Sequence, residues 1–199
     1  MSKVVASITA SVDGYITGPN DGPGNGLGDG GERLHYWVFG GPWTYADPPK
    51  GEPSGDDAKW LEDAVAGVGA VVAGRNTYEA AERWGGENPW GLPFFIVTHR
   101  TEDQPEGDDF KFVAGVQEAI DRAREAAGGK DVNVMGGGEV IRQALEADLV
   151  DELAIIVAPV VLGGGKRLFE GFSRSLDLEH LDVRQSAFAT FLGYRVKRA

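Results

Sequence analysis

Apolar positions along the chain fall into short unbroken runs, separated by stretches in which they recur at helical spacing. Residues 4–11 form the first run, closed by the turn pair Asp13-Gly14. Gly69-Ala70-Val71-Val72-Ala73, Phe94-Phe95-Ile96-Val97-Thr98, Val132-Asn133-Val134-Met135 and residues 153–157 have the length of buried strands. Trp60, Leu61, Ala64, Val65 and Val68 share a helix face, with Ser54 and Asp57 as capping candidates. Residues 76–83 read as a shorter helix with Asn76 or Thr77 as N-cap. Val116, Ala119, Ile120, Ala123 and Ala127 make a third stripe, stopped by Gly128-Gly129, and Val140, Ile141, Ala144 and Leu145 a fourth. Residues 178–185 and 188–197 read as two antiparallel strands at a sheet edge. Strands that are apolar throughout, rather than alternating, belong to a sheet covered on both faces. The pattern therefore predicts a three-layer α/β fold. A mixed, mostly parallel central sheet is flanked by helices and ends in a C-terminal antiparallel hairpin, in a single domain over residues 1–199.

One region breaks the rhythm. Seven of the fourteen residues from 18 to 31 are glycine, and residues 40–55 carry Pro42, Pro48, Pro49 and Pro53. Between them residues 33–39 are aromatic-rich and long enough for one or two helical turns. The pattern on either side is incomplete alone, so residues 18–55 read as mobile loops inserted into the domain, not as a linker.

Composition narrows the class. The 199 residues are 42% hydrophobic and 25% charged, which excludes wholesale disorder. No apolar run approaches the roughly 18 residues of a membrane span, the first residues lack a secretory leader pattern, and there is no cysteine. A cytoplasmic protein without disulfides or thiolate metal sites is expected. Nineteen Lys and Arg against 31 Asp and Glu leave a net charge of −12, which makes nucleic acid and acidic membranes poor partners. An anionic ligand needs a local cluster of donors.

Three strand ends offer one. Gly136-Gly137-Gly138 lies between a strand and a helix, where unpaired N–H groups and close approach suit a phosphate; a tight strand-to-helix turn explains it equally. Gly74-Arg75-Asn76-Thr77 repeats the device with a guanidinium fork, and Thr98-His99-Arg100 adds a hydroxyl and two basic side chains. Each alone reads as well as a solvated strand end; a ligand with two separated phosphates would explain all three. Asp21, Asn25, Gly26, Asp29 and Glu32 fall at calcium-loop spacing, but Pro23 takes a ligand position and no helix can precede the loop. His35, His99 and His180 form no metal spacing. Trp37 and Trp43, beside the loops, could line a pocket for a flat heterocycle.

Four segments in order carry a resemblance. They are Ser7-Ile8-Thr9-Ala10-Ser11-Val12-Asp13-Gly14-Tyr15-Ile16, Gly74-Arg75-Asn76-Thr77-Tyr78-Glu79, Val134-Met135-Gly136-Gly137-Gly138-Glu139-Val140 and Ala158-Pro159-Val160-Val161-Leu162-Gly163-Gly164-Gly165. Together the chain resembles the dihydrofolate reductase-like superfamily. Within it, the chain is most similar to the reductase domain of the bifunctional riboflavin-biosynthesis deaminase-reductase and its stand-alone relatives. The resemblance implies an NADPH-dependent reductase, commonly a homodimer, that passes hydride to a small heterocyclic C=N or C=O substrate and uses no metal. It implies that Met135 through Val140 hold the pyrophosphate and Gly74 through Thr77 the phosphate groups. Thr98, His99 and Arg100 would lie near the adenosine 2′-phosphate, Thr9 and Ile16 beside the nicotinamide, and Trp37, Ile156 and Leu162 in the substrate pocket. Asp13 and Glu32 are the only candidates for a catalytic carboxylate. Residues 18–31 would form a lid. Two other functions stay open: an NADP(H)-binding module without catalysis, and a calcium-stabilised loop protein.

Overall fold

The computed structural model describes residues 2–107 and 109–198. In chain order the elements are β1 (Val4–Ser11), α1 (Gly55–Ala66), β2 (Val68–Gly74), α2 (Arg75–Ala80), β3 (Phe94–Val97), β4 (Lys111–Val113), α3 (Val116–Ala126), β5 (Asp131–Val134), α4 (Gly138–Glu146), β6 (Glu152–Ala158), β7 (Leu178–Gln185) and β8 (Thr190–Val196). Single 3-10 turns lie at Gly31–His35, Glu82–Gly86 and Thr101–Asp103. All eight strands join one sheet in the order β4-β3-β2-β5-β1-β6-β8-β7. The pairings from β4 through β6 are parallel, and β8 pairs antiparallel with both β6 and β7.

Strand alternation sorts the core. On one face Val4, Ala6, Ala70, Val72, Val132, Val134 and Leu153 pack against Ala119, Ile120 and Ala123 of α3 and Ile141, Ala144 and Leu145 of α4 as one continuous cluster. The other face carries two separate clusters. Val71, Ala73, Phe94 and Ile96 pack with Tyr78, Phe110 and Phe112 over β2–β4, with Trp84 and Trp90 against them. Trp37, Ile156, Ala189 and Phe191 pack over β6 and β8, joined by Trp60 and Leu61 of α1. Between the clusters, β5 and β1 stay uncovered on that face.

Several local expectations are corrected. Val68 opens β2 instead of closing α1, and Val65 is 49% exposed. The short helix starts one residue earlier than expected, with Gly74 at its N-cap and no side-chain cap. It stops at Ala80 because Arg83 and Trp84 adopt left-handed backbone angles. Ser54 stands at the N-cap of α1 without a capping bond, while Asp57 is buried, its Oδ1 without a partner and its carboxyl raised by burial. β4 has no counterpart in the predicted elements, since only two of its three residues are apolar.

The glycine-rich insert is knitted to itself rather than loose. The Gly18 amide donates to Leu27 O at 2.7 Å, the Asp29 amide to Pro19 O at 2.7 Å, and the Leu27 amide to the Tyr45 hydroxyl at 2.8 Å. The Asp29 carboxylate accepts from Asn20 Nδ2 at 2.7 Å and Asn25 Nδ2 at 3.0 Å, and Asp21 pairs with Lys166. Asp21 and Asp29 of the calcium pattern are thus engaged within the fold, and no group of three His, Cys, Asp or Glu among the described residues is placed to hold a metal.

Candidate functional site

The uncovered strip of sheet is the floor of a cleft of about 1390 Å3. Val71, Asn133, Ser7, Thr9 and Ile156 of β2, β5, β1 and β6 form that floor. Ser7 Oγ bonds Asn133 Oδ1 at 3.1 Å, which satisfies two polar groups where neither aromatic cluster reaches. From β2 to β6 are three strand spacings, so the floor is about 14 Å wide at ~4.8 Å per spacing.

The β2/β3 end gathers the anion-friendly groups. Gly74 through Thr77, Thr98 through Arg100, and Met135 through Val140 all line the one cleft, at the carboxyl ends of β2, β3 and β5. The Gly74 amide donates to Gly136 O at 2.8 Å, tying two of the loops together. A Cβ on Gly74 would lie 2.9 Å from Val140 Cγ2, which leaves little room for a side chain there, and one on Gly138 would lie 2.8 Å from Ile16 Cδ1, the movable end of that side chain. The Gly136-Gly137 peptide is cis. No side chain caps α4, so its first amides remain open toward the cleft.

Arg75 is held in place on three sides. Its Nε donates to Glu79 Oε1 at 2.7 Å, its guanidinium lies 4.8 Å above the Phe112 ring, and Nη2 reaches Asp103 at 3.5 Å. Nη1 is buried with no partner. Burial raises the Glu79 carboxyl, but bonds from Arg83 and Arg75 outweigh it and hold the group below its ordinary value. Thr98 is buried with its hydroxyl accepting from the Arg100 amide at 3.1 Å, and Arg100 is exposed beside Asp103.

The β1/β6 end is aromatic. His35, Trp37, Phe39, Trp43, Tyr45 and Trp60 line it. Trp37 Nε1 donates to Thr9 Oγ1 at 3.1 Å, and its ring meets Trp60 and Phe191 edge-on, each at 5.3 Å. His35, Phe39 and Trp60 are absent from the pocket residues expected from sequence. No sequence signal marks them, because residues 35–39 lie in the 3-10 turn and the turns after it, where a two-residue alternation fixes no common face. Burial pulls the His35 imidazole down to about 4. Its folded value is depressed, so its neutral form stabilises the fold above about pH 6.5, and that stability is lost as pH falls toward 4. Acid titration of thermal unfolding should show about 1–2 kcal/mol lost over that window, after discounting for the open cleft. The loss should be absent in His35→Gln.

Asp13, Glu32 and Leu162 do not reach the cleft lining. Asp13 accepts from Ser11 Oγ at 2.6 Å, Leu162 N at 3.1 Å and Gly163 N at 2.8 Å. Those bonds, that from Ser11 foremost, lower its carboxyl to about 2. A permanently charged clamp cannot deliver a proton at neutral pH, so Asp13 is a positioning residue for the 160s loop, and Leu162 is the backbone it holds. Asp13→Ala should speed amide exchange at Leu162 and Gly163 while leaving amides in β3 unchanged. Glu32 sits in the first turn of the 3-10 turn, as a helix-start acid does.

The chain matches the family model described as the RibD C-terminal domain over residues 2–188. It belongs to that family. Its sheet and hairpin have the dihydrofolate reductase-like fold. A putative riboflavin biosynthesis protein from Shewanella sp. PV-4 superimposes with a TM-score of 0.74 at 25% identity, covering 98% of this chain and 99% of that one. Dihydrofolate reductase from Enterococcus faecalis, complexed with NADP(H), superimposes with a TM-score of 0.59 at 15% identity, over 98% and 97% of the two chains. The uncharacterized protein YwjB of Bacillus subtilis is 26% identical over 143 residues, 72% of this chain and 82% of that protein. A RibD C-terminal domain of this kind carries a reductase-type function. Among its described residues no helix is long and apolar enough to cross a membrane.

Proposed function

We propose that the chain is an NADPH-dependent reductase that passes hydride to a C=N or C=O carbon of a small flat heterocycle. One observation carries the reading: a single cleft joins Arg75, with its buried and unpartnered Nη1, to an aromatic chamber about 14 Å away across the sheet. The residues present fit that cofactor. The free Nη1 matches a phosphate oxygen, the uncapped start of α4 offers amides to a pyrophosphate, and a Cβ on Gly137 would press on the Thr77 hydroxyl at 3.2 Å. The same fold in the Enterococcus faecalis enzyme carries NADP(H).

When bound, NADPH would supply the hydride. Arg75 and the α4 amides would anchor its anionic end, and Thr9 with Ile16 would border its reactive end. The knitted insert, through Leu27, Trp43 and Tyr45, walls the chamber and limits water around the reacting carbon. A second reading, a nucleotide-binding module without catalysis, draws support from the absence of Asp13 and Glu32 from the cleft.

Fluorescence titration with NADPH and NADH, followed by NADPH oxidation across pterins, pyrimidines and carbonyl compounds, separates the two. Tight NADPH binding with turnover supports the reductase; binding without turnover across the panel supports the module. Equal, weak affinity for both nucleotides overturns the cofactor assignment.

A further inference from the structure

The aromatic end of the cleft has a chemistry of its own. Segments 35–45 and 60–65 contribute His35, Trp37, Phe39, Trp43, Tyr45, Trp60 and the apolar side of α1 to its lining, and no charged side chain. The charges elsewhere in the cleft are largely engaged: Asp21 with Lys166, Glu139 with Arg142, and Arg167 over the Tyr15 ring. A phosphorylated or carboxylated substrate would find no counter-charge on the chamber walls, and desolvating it there is costly. A substrate with a basic amidine would find no carboxylate on those walls, since the lining acids Asp21, Glu82, Glu139 and Glu170 come from other segments.

Two polar groups remain unused. Neither ring nitrogen of His35 has a hydrogen-bond partner among the described residues. Trp43 holds a buried Nε1–H that also lacks one, while its ring meets Phe39 at 5.1 Å and Tyr45 at 5.3 Å. An apolar chamber with unfilled N–H donors suits a flat ligand that carries oxygen acceptors and no charge.

Resting on the reductase reading above, we propose that the substrate is an uncharged aromatic carbonyl compound, lying against the rings of Trp43 and Phe39 with its oxygen accepting from the neutral His35 ring. His35 polarises the C=O bond. The carbonyl carbon gains the hydride that NADPH loses, the oxygen takes a proton from water in the open cleft, and the products are NADP+ and the alcohol or hydroquinone. His35 is then a catalytic residue that stabilises developing negative charge on oxygen, not a proton reservoir.

The experiment pairs two readouts on the full chain. Calorimetry of naphthoquinone without cofactor reads the chamber alone, and NADPH oxidation with naphthoquinone, an aryl ketone and a phosphorylated ribosylaminopyrimidine reads turnover. The expected result is naphthoquinone binding that weakens about tenfold in Trp43→Ala, and turnover of the carbonyl compounds but not of the phosphorylated pyrimidine. His35→Phe, which keeps an aromatic wall but removes the donor, should lower kcat 10- to 100-fold with KM changed less than about threefold, and His35→Gln should recover part of it. Preference for the phosphorylated pyrimidine, or an unchanged kcat in His35→Phe, overturns the proposal. So does absence of naphthoquinone binding, whatever NADPH does. Naphthoquinone binding without NADPH binding leaves the chamber standing and sinks the hydride step with the cofactor.

Discussion

Trp37→Ala should lower the stability of the protein by about 3–5 kcal/mol, the range for deleting a buried aromatic. The ring is 4% exposed and wedged edge-on between Trp60 and Phe191, so its removal leaves a hole that two large rigid neighbours cannot collapse to fill. It also strands Thr9 Oγ1, which is buried on the cleft floor and loses its donor at 3.1 Å. At ~2–4 °C per kcal/mol for a chain of this size, thermal melting should fall by roughly 6–20 °C. Trp37→Phe separates the contributions. It restores most of the volume but not the N–H, and should cost about 1–3 kcal/mol. A melting point for Trp37→Ala within a degree or two of the wild type would mean that this wall of the chamber is not a packed core.

Arg75→Ala should weaken NADPH binding roughly 10- to 150-fold, the ~1.5–3 kcal/mol of a hydrogen bond to a charged group. NADH should weaken less if the guanidinium meets the 2′-phosphate. The fold should tolerate the change, because Glu79 keeps its bond from Arg83 at 3.0 Å and is not stranded. Arg75→Lys tests geometry: the charge remains, but the flat stack on Phe112 and the aimed Nη1 do not. Equilibrium fluorescence titration with both nucleotides is the measurement. Equal losses for NADPH and NADH would assign Arg75 to the pyrophosphate instead, and no loss for either would remove it from the site.

Much of the architecture could be read from the chain because strands such as β2 and β3 have no polar face. Val68–Gly74 is buried at every position, so the run announces itself without a partner in view. β1 and the C-terminal hairpin were legible for the same reason or through their flanking turns. β4 was not, since three residues with a lysine at the first carry too little periodicity; what makes them a strand is β3 beside them. The left-handed backbone at Arg83 and Trp84 is likewise imposed from outside, by packing of Trp84 on Phe94 and Phe110.

The cofactor end of the candidate site follows from glycine and arginine at strand ends, a local signal. The chamber end does not. His35, Phe39, Trp43 and Trp60 come from three separate segments that only the folded insert brings together, and nothing in their spacing says which way they face. The internal bonding of the insert was not legible because glycine count reports what backbone shapes are allowed, not whether Asn20, Asn25 and Asp29 will join in one of them.

On one side of the sheet the core is continuous; on the other it is two aromatic blocks with a bare strip between. The blocks act like jaws bolted to a single bent plate. Their spacing follows the coil of β5 and β1, which is set from beneath by Ala6, Val132 and Val134 against the helices. Enlarging one of those side chains would reshape the gap from the rear, retuning what the jaws accept without altering any atom that a ligand touches.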